Sequence, residues 1–152
     1  MKEIEGDLIQ MALNGDFDII AHGCNCFCTM NSGIAKTIKE TFESAYFADQ
    51  KTKRGNYNKL GNITLGNYEL TNNKFLTILN CYTQYNYGTD EVHLNYIALA
   101  MCLNKINFFY KGKKIGLPVI GCGLGGGDWN IVKEIIKKEL TDLDVTIVKF
   151  KK

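Results

Sequence analysis

Residues 114–129 read KIGLPVIGCGLGGGDW. An apolar run over residues 114–121 has strand character and leads into five glycines within the seven residues 121–127. Asp128-Trp129 then opens an amphipathic stretch over residues 129–140 with helical spacing. The reading is strand, glycine loop, helix. Glycine lacks Cβ, so its main chain can take positive φ and approach a ligand closely. Successive amides beside a helix N-terminus form an anion site. The loop therefore reads as a phosphate or diphosphate cradle, with a ligand-free turn as the plainer alternative. Gly121-x-Gly123-x-x-Gly126 also fits a dinucleotide fingerprint, but only 25 residues follow Gly127. That fold opens with its glycine loop and needs several further βα units after it. No Walker A sequence is present.

Working outward, residues 17–22 (FDIIAH) form a second continuous apolar strand, the pattern of a strand buried on both faces. A loop over residues 23–32 follows, then a helix over 33–48. This loop also joins a buried strand to a helix, and Gly33 opens that helix. The amides of Gly33, Ile34 and Ala35 are then free and electropositive. Two such loops in one small sheet are suited to clamp a pyrophosphate through backbone amides, with no Arg/Lys cluster. The remaining periodicity predicts a short strand over residues 1–5 and a helix over 7–13. Strands follow at 62–70 and 75–81, with Asn72-Asn73 turning between them. A long helix over 92–110 and a closing strand over 145–150 complete the chain. Alternating strands and helices imply an α/β fold. Ligands of such sheets bind at the carboxyl ends of strands, where strand order switches.

The chain has 152 residues, 45% hydrophobic and 22% charged, with a formal charge of +2. That is one globular domain, 1–152, without the basic bias of a dedicated nucleic-acid groove. Lys51-Thr-Lys-Arg54 with Tyr57 reads as a solvated helix end rather than a nucleic-acid patch. No stretch approaches a membrane span. The N-terminal MKEIEGD carries no apolar leader core, so the expectation is a cytoplasmic protein with free thiols. Of the six cysteines, Cys81 and Cys102 read as small core residues. His22, Cys24, Cys26 and Cys28 alternate, but structural zinc sites favour C-x₂₋₄-C pairs with a second pair elsewhere. We expect no metal and no cofactor, and thiols that line a pocket.

The set Gly6-Asp7-Leu8, Asn25…Asn31-Ser32-Gly33-Ile34-Ala35 and Gly121-Cys-Gly-Leu-Gly-Gly-Gly127 resembles the macrodomain family over nearly the whole chain. It looks closest to the small microbial and phage branch that processes ADP-ribose 1″-phosphate, and Asn80-Cys-Tyr-Thr-Gln84 is similar to that branch as well. The resemblance implies a three-layer α/β/α sandwich with a mixed, mostly parallel sheet, binding ADP-ribose. It gives Asp7 the adenine amino group, with Leu8 beside it. It gives the diphosphate to the amides of Gly33, Ile34 and Ala35 together with those of Gly123, Leu124, Gly125, Gly126 and Gly127, with Asn31, Ser32 and Gly121 as further substrate-binding residues of the same loops. Asn25 would contact the distal ribose, and Phe150 would lie against adenine. Asp7 is equally a helix N-cap, and Phe150 equally an edge residue.

The chain departs from the family in several places. The glycine triplet appears as Asn31-Ser32-Gly33, and Met30 stands where viral members carry histidine. The branch that removes ADP-ribose from glutamate or DNA uses a lysine and an aspartate, whose nearest positions here are Gln84 and Gly125. The expected function is hydrolysis of ADP-ribose 1″-phosphate or a related ester. Asn25 would orient ribose or water, and Asp128 or His22 would act as general base. Against this stands a non-catalytic reader or sequestering module for ADP-ribose, for ADP-ribosylated protein or other macromolecules, or for a related nucleotide signal. Asp128 is also placed to cap a helix, and a strand-end His22 is equally a satisfied core residue.

Overall fold

The structure, a computed structural model, describes residues 1–151. Six strands, β1 (Lys2–Gly6), β2 (Ile19–Cys24), β3 (Ile63–Glu69), β4 (Phe75–Tyr82), β5 (Lys114–Leu117) and β6 (Asp144–Phe150), form one sheet. Its order is β1-β6-β5-β2-β4-β3. Every neighbouring pair is parallel except β3 with β4. Five helices cover it: α1 (Leu8–Leu13), α2 (Gly33–Thr41), α3 (Glu43–Gln50), α4 (Tyr96–Phe109) and α5 (Trp129–Glu139). The architecture is the expected α/β/α sandwich with a mixed, mostly parallel sheet.

Alternation along β2 sorts its side chains between the two faces. Ile19 and Ala21 pack with Leu99, Leu103, Ile106, Val132 and Ile136 under α4 and α5. Ile20 packs with Leu8, Ile38, Phe42 and Ala45 under α1, α2 and α3. Both faces of the central strands are thus apolar, which is why FDIIAH and KIGLPVIG read as continuous hydrophobic runs.

Four elements differ from the sequence expectation by more than a one-residue shift at an end. The helix over 33–48 is two helices, broken at Phe42, whose φ of −123° and ψ of 79° leave the helical region. Phe42 is fully buried and packs edge-on against Tyr68. The break lets the first turn of α3 lie directly on β3, where Ser44 Oγ donates to Asn67 O at 2.7 Å. The residue under that contact is Gly66. A Cβ there would come to 2.6 Å of the Ser44 carbonyl carbon and closer still to Ala45 N, both main-chain atoms. The long helix starts at Tyr96 rather than residue 92, because Asn95 caps it by accepting from Ala98 N at 3.0 Å. β5 ends at Leu117, since Pro118 offers no amide to a ladder. β2 begins at Ile19 and runs on to Cys24, which pairs with Tyr82.

Gly66→Ala is expected to cost about 2 kcal/mol, because neither α3 nor β3 can yield locally. The urea midpoint should fall at unchanged m-value; a wild-type midpoint would contradict this packing.

Candidate functional site

β2 and β5 are neighbours at the centre of the sheet, and the chain leaves their carboxyl ends in opposite directions. From β2 it proceeds to β3 and β4 on one side, and from β5 to β6 on the other. That is the topological switch point at which α/β sheets open a crevice. A cleft of about 470 Å³ lies there. Residues 23–25, Thr29 and 31–35 form one wall, and residues 118–121 and 123–125 form the other. Gln84 and residues 87–89 close one end. The two loops singled out in the sequence therefore share a cavity.

Main-chain donors dominate both walls. Ser32 precedes α2 in an extended conformation, and its side chain makes no capping bond. Gly33 sits at φ 58°, a left-handed conformation that costs a residue with Cβ about 1–2 kcal/mol. The amides of Gly33, Ile34 and Ala35 have no acceptor among the described residues; the first amide of α2 with a partner is Lys36 N, on Ser32 O. They carry the positive end of the helix dipole. On the other wall, the amides of Gly121, Gly123, Leu124 and Gly125 likewise lack an acceptor among the described residues. Gly126 and Gly127 differ. Gly126 N donates to Gly123 O at 3.0 Å and Gly127 N to Gly121 O at 2.9 Å. Neither residue lines the cleft. Their amides are spent folding the loop back on itself, which leaves those of Gly121, Gly123, Leu124 and Gly125 as the acceptor-free amides of this wall among the described residues. Gly125 O in turn accepts from His93 N at 3.0 Å and Leu94 N at 3.1 Å, which ties the loop to the start of α4.

Asn25 lines the cleft with its side chain already engaged. Its Nδ2 donates to Thr29 Oγ1 at 2.7 Å, and its Oδ1 accepts from Phe27 N at 2.8 Å. It fixes the loop that it occupies. His22 does not reach the cleft. Pleating turns it toward α3, where it is fully buried and bonds Asn80 Oδ1 at 2.7 Å. Both Asn80 Nδ2 protons are committed, to Ala45 O at 2.9 Å and Thr64 Oγ1 at 3.1 Å. The donor to Asn80 Oδ1 is therefore His22 Nε2–H. Burial pushes this imidazole down from 6.5 to about 4, with Asn80 opposing the shift. Asp128 also lies outside the lining. It caps α5 by accepting from Asn130 N at 2.9 Å, and its own amide donates to Tyr96 Oη at 2.9 Å. Neither candidate base faces the cavity.

Asp7 caps α1, accepting from Gln10 N at 3.1 Å. Leu8 is buried. Phe150 is 72% exposed and pairs in register with Gly6, so Asp7 and Phe150 stand together at the carboxyl edge of β1 and β6. None of these three lines the cleft itself. The alternating cysteines diverge: Cys24 Sγ faces the His22 ring, Cys26 Sγ donates to Gln84 O and Cys28 Sγ faces Thr52. Among the described residues no group of three His, Cys, Asp or Glu side chains is placed to hold a metal. Among them, too, no helix is long and apolar enough to cross a membrane.

Sequence reasoning missed Thr29, Thr89 and the wall 118–120. Thr29 was reachable, since an Asn followed four residues later by Thr suits a side-chain-braced turn. Of the tyrosines at 82, 85 and 87, only Tyr87 faces the cavity. Tyr82 is buried, with its hydroxyl donating to Asp49 Oδ1 at 2.8 Å. Gln84 and Gly125 adjoin across the cleft: a Cβ at 125 would meet Gln84 Oε1 at 2.9 Å.

A buried neutral His22 has a pH signature. Its folded-state value lies below the unfolded one, so its stabilisation is complete above pH 6.5 and is lost as pH falls toward 4. Between pH 6.5 and 5, unfolding free energy should fall by up to about 1.4 kcal/mol per unit. His22→Gln should flatten that slope. An equal slope in the variant would contradict the assignment.

Residues 21–136 match the family model described as Macro domain. An Enterobacteria phage T4 protein, described as an uncharacterized 17.5 kDa protein in the tk-vs intergenic region, is 34% identical over 153 residues, covering 97% of this chain and 95% of that one. A crystal structure of a Bacteroides thetaiotaomicron protein is similar with a TM-score of 0.78 at 25% identity, over 98% of this chain and 99% of that one. The DarTG protein of Thermosipho africanus, solved in complex with ADP-ribose, is similar with a TM-score of 0.70 at 20% identity, over 99% of this chain and 41% of that one. Sequence and architecture agree, and the chain belongs to the macrodomain family.

Proposed function

We propose that this macrodomain binds ADP-ribose in the cleft between the β2–α2 and β5–α5 loops. One observation carries the reading. Two sets of main-chain amides without acceptors among the described residues, those of 33–35 and those of 121 and 123–125, line a single cavity. Together they supply donors and helix-dipole potential for a diphosphate without a lysine or arginine in the lining. Asp7, whose Oδ1 already caps α1, keeps its second carboxylate oxygen for the adenine amino group, with Phe150 beside it. The distal ribose falls to the end of the cleft formed by Asn25, Thr29, Gln84 and Tyr87. The DarTG structure above and a Trypanosoma brucei macrodomain, similar with a TM-score of 0.62, were both solved with ADP-ribose, which supports this choice of ligand.

Binding is favoured over rapid turnover. Among the described residues, the lining holds no carboxylate, imidazole or amine. A reader or sequestering role, for free ADP-ribose or for ADP-ribose carried on protein, requires only the binding groups. Removal of the phosphate from ADP-ribose 1″-phosphate is the second reading. What favours it is the free amides of Gly123, Leu124 and Gly125, which can stabilise charge on a phosphoryl group held beside Asn25. The protein then contributes position and electrostatics, and proton transfer falls to water and to the substrate's own phosphate. Lysine-linked chemistry has no residue at Gln84 to perform it.

Calorimetric titration should give ADP-ribose a Kd at least about tenfold below that of AMP, a difference of about 1.4 kcal/mol. Gly33→Val, strained at φ 58°, should abolish the difference. Equal affinities for ADP-ribose and AMP would contradict the assignment. Phosphate release from ADP-ribose 1″-phosphate, where measurable, should be slow and change by less than about threefold in Asp128→Asn; loss of a general base would cost about 100-fold or more.

A further inference from the structure

The loop after β2 holds one thiol in a setting that the other five lack. Cys28 is one of two described non-glycine residues with a left-handed backbone, at φ 58°. Gln50 Nε2 donates to its carbonyl at 2.8 Å. Its sulfur enters a recess at the end of α3, 3.4 Å from Asp49 O and 3.3 Å from Thr52 Oγ1. A further wall of the recess is Lys59, whose Nζ lies 3.5 Å from Cys28 Sγ.

Lys59 is only 8% exposed. Its Nζ donates to Cys26 O at 3.0 Å and lies 4.9 Å from the centre of the Tyr82 ring. None of the ion pairs among the described residues includes it. The carboxylate of Asp49 is turned to the Tyr82 hydroxyl instead. A buried ammonium is costly unless an anion or a set of acceptors meets it. Here a carbonyl, a ring face and a sulfur are what meet it. The other thiols are less suited to react. Cys24, Cys26, Cys81 and Cys102 are buried. Cys122 is half-buried, but burial and Asp128 push its thiol up to about 11.

We propose that Cys28 is a peroxide-reactive site whose oxidised sulfur is captured by Lys59 in a covalent S–N crosslink. In the first step Cys28 Sγ attacks hydrogen peroxide. An S–O bond forms, the O–O bond breaks and water leaves. The sulfur loses two electrons to the peroxide and becomes a sulfenic acid. In the second step Lys59 Nζ, having released a proton to solvent, attacks the sulfur with its lone pair. The S–N bond forms, the S–O bond breaks, and the departing hydroxide leaves as water with a proton from nitrogen. Thiol, amine and one peroxide give the crosslink and two waters. An excess of thiol reductant cleaves it. The crosslink ties the loop to the 3₁₀ turn Tyr57–Lys59, one residue from Thr29, whose hydroxyl holds Asn25 at the cleft. The chemistry stands whether or not ADP-ribose is the ligand.

The test is equimolar hydrogen peroxide on the folded full chain, followed by thiol alkylation, digestion and peptide mapping. The expected result is an intact mass lower by two hydrogens, a peptide joining Cys28 to Lys59, and reversal by dithiothreitol. A disulfide from Cys28 to another cysteine gives the same mass loss, and finding it in the map would overturn the proposal. So would first oxidation at any other cysteine, or the same crosslink forming equally well in urea. Lys59→Arg keeps the cation without the amine, so dimedone should trap the Cys28 sulfenic acid there and no mass should be lost. If that variant fails to fold, the wild-type map alone decides. Cys28→Ser should abolish the crosslink; its persistence would overturn the assignment.

Discussion

A main-chain amide without an acceptor is expensive to bury and is tolerated where water or a ligand can take the bond. This fold places two clusters of such amides at the carboxyl ends of adjacent central strands, on residues 33–35 and on residues 121 and 123–125. Neither cluster is accidental. Ser32 declines the capping bond that would have consumed an α2 amide. The glycine loop closes through the amides of Cys122, Gly126 and Gly127, and those of Gly121, Gly123, Leu124 and Gly125 stay without an acceptor among the described residues.

The surroundings of the clusters are rigid for separate physical reasons. The first wall is braced by Asn25, which bonds both Phe27 N and Thr29 Oγ1. Beneath it, His22 and Asn80 link β2, β4, β3 and α3 through a chain of buried hydrogen bonds. The second wall is pinned by Gly125 O, which receives two amides from the residues before α4. In a cleft fixed this way little backbone entropy is left to lose, so the ligand proposed for it would meet a preorganised site. The same tight bracing puts Cys28 and Lys59 in contact behind the first wall.

The glycine loop and the two buried strands were legible because their signals are local. A strand buried on both faces must be apolar throughout, and a backbone anion cradle needs glycine. The break at Phe42 was not legible, because Phe42 continues the helical apolar spacing and the reason for the break lies at Gly66 on a distant strand. His22 shares the face of Ile20 by simple alternation, and because β2 runs on to Cys24 it lies within the strand under α3 rather than at the strand's mouth. Gly126 and Gly127 carry the same letter as Gly123 and Gly125, and only their hydrogen bonds separate the two roles. Thr89 faces the cavity from a loop whose composition has no periodicity to read, and residues 118–120 continue the apolar run of β5, so the sequence placed them inside the strand rather than on the cavity wall.

The most direct test is an amide-resolved NMR titration of the ¹⁵N-labelled chain with ADP-ribose, with adenosine as the reference ligand. The account expects the amides of Gly33, Ile34, Ala35, Gly123, Leu124 and Gly125 to shift together and saturate at one ligand per chain, while those of Gly126 and Gly127 move least within the loop. Adenosine should leave all of them near their free positions. Perturbation confined to one loop, or equal perturbation by adenosine, would contradict a shared diphosphate site.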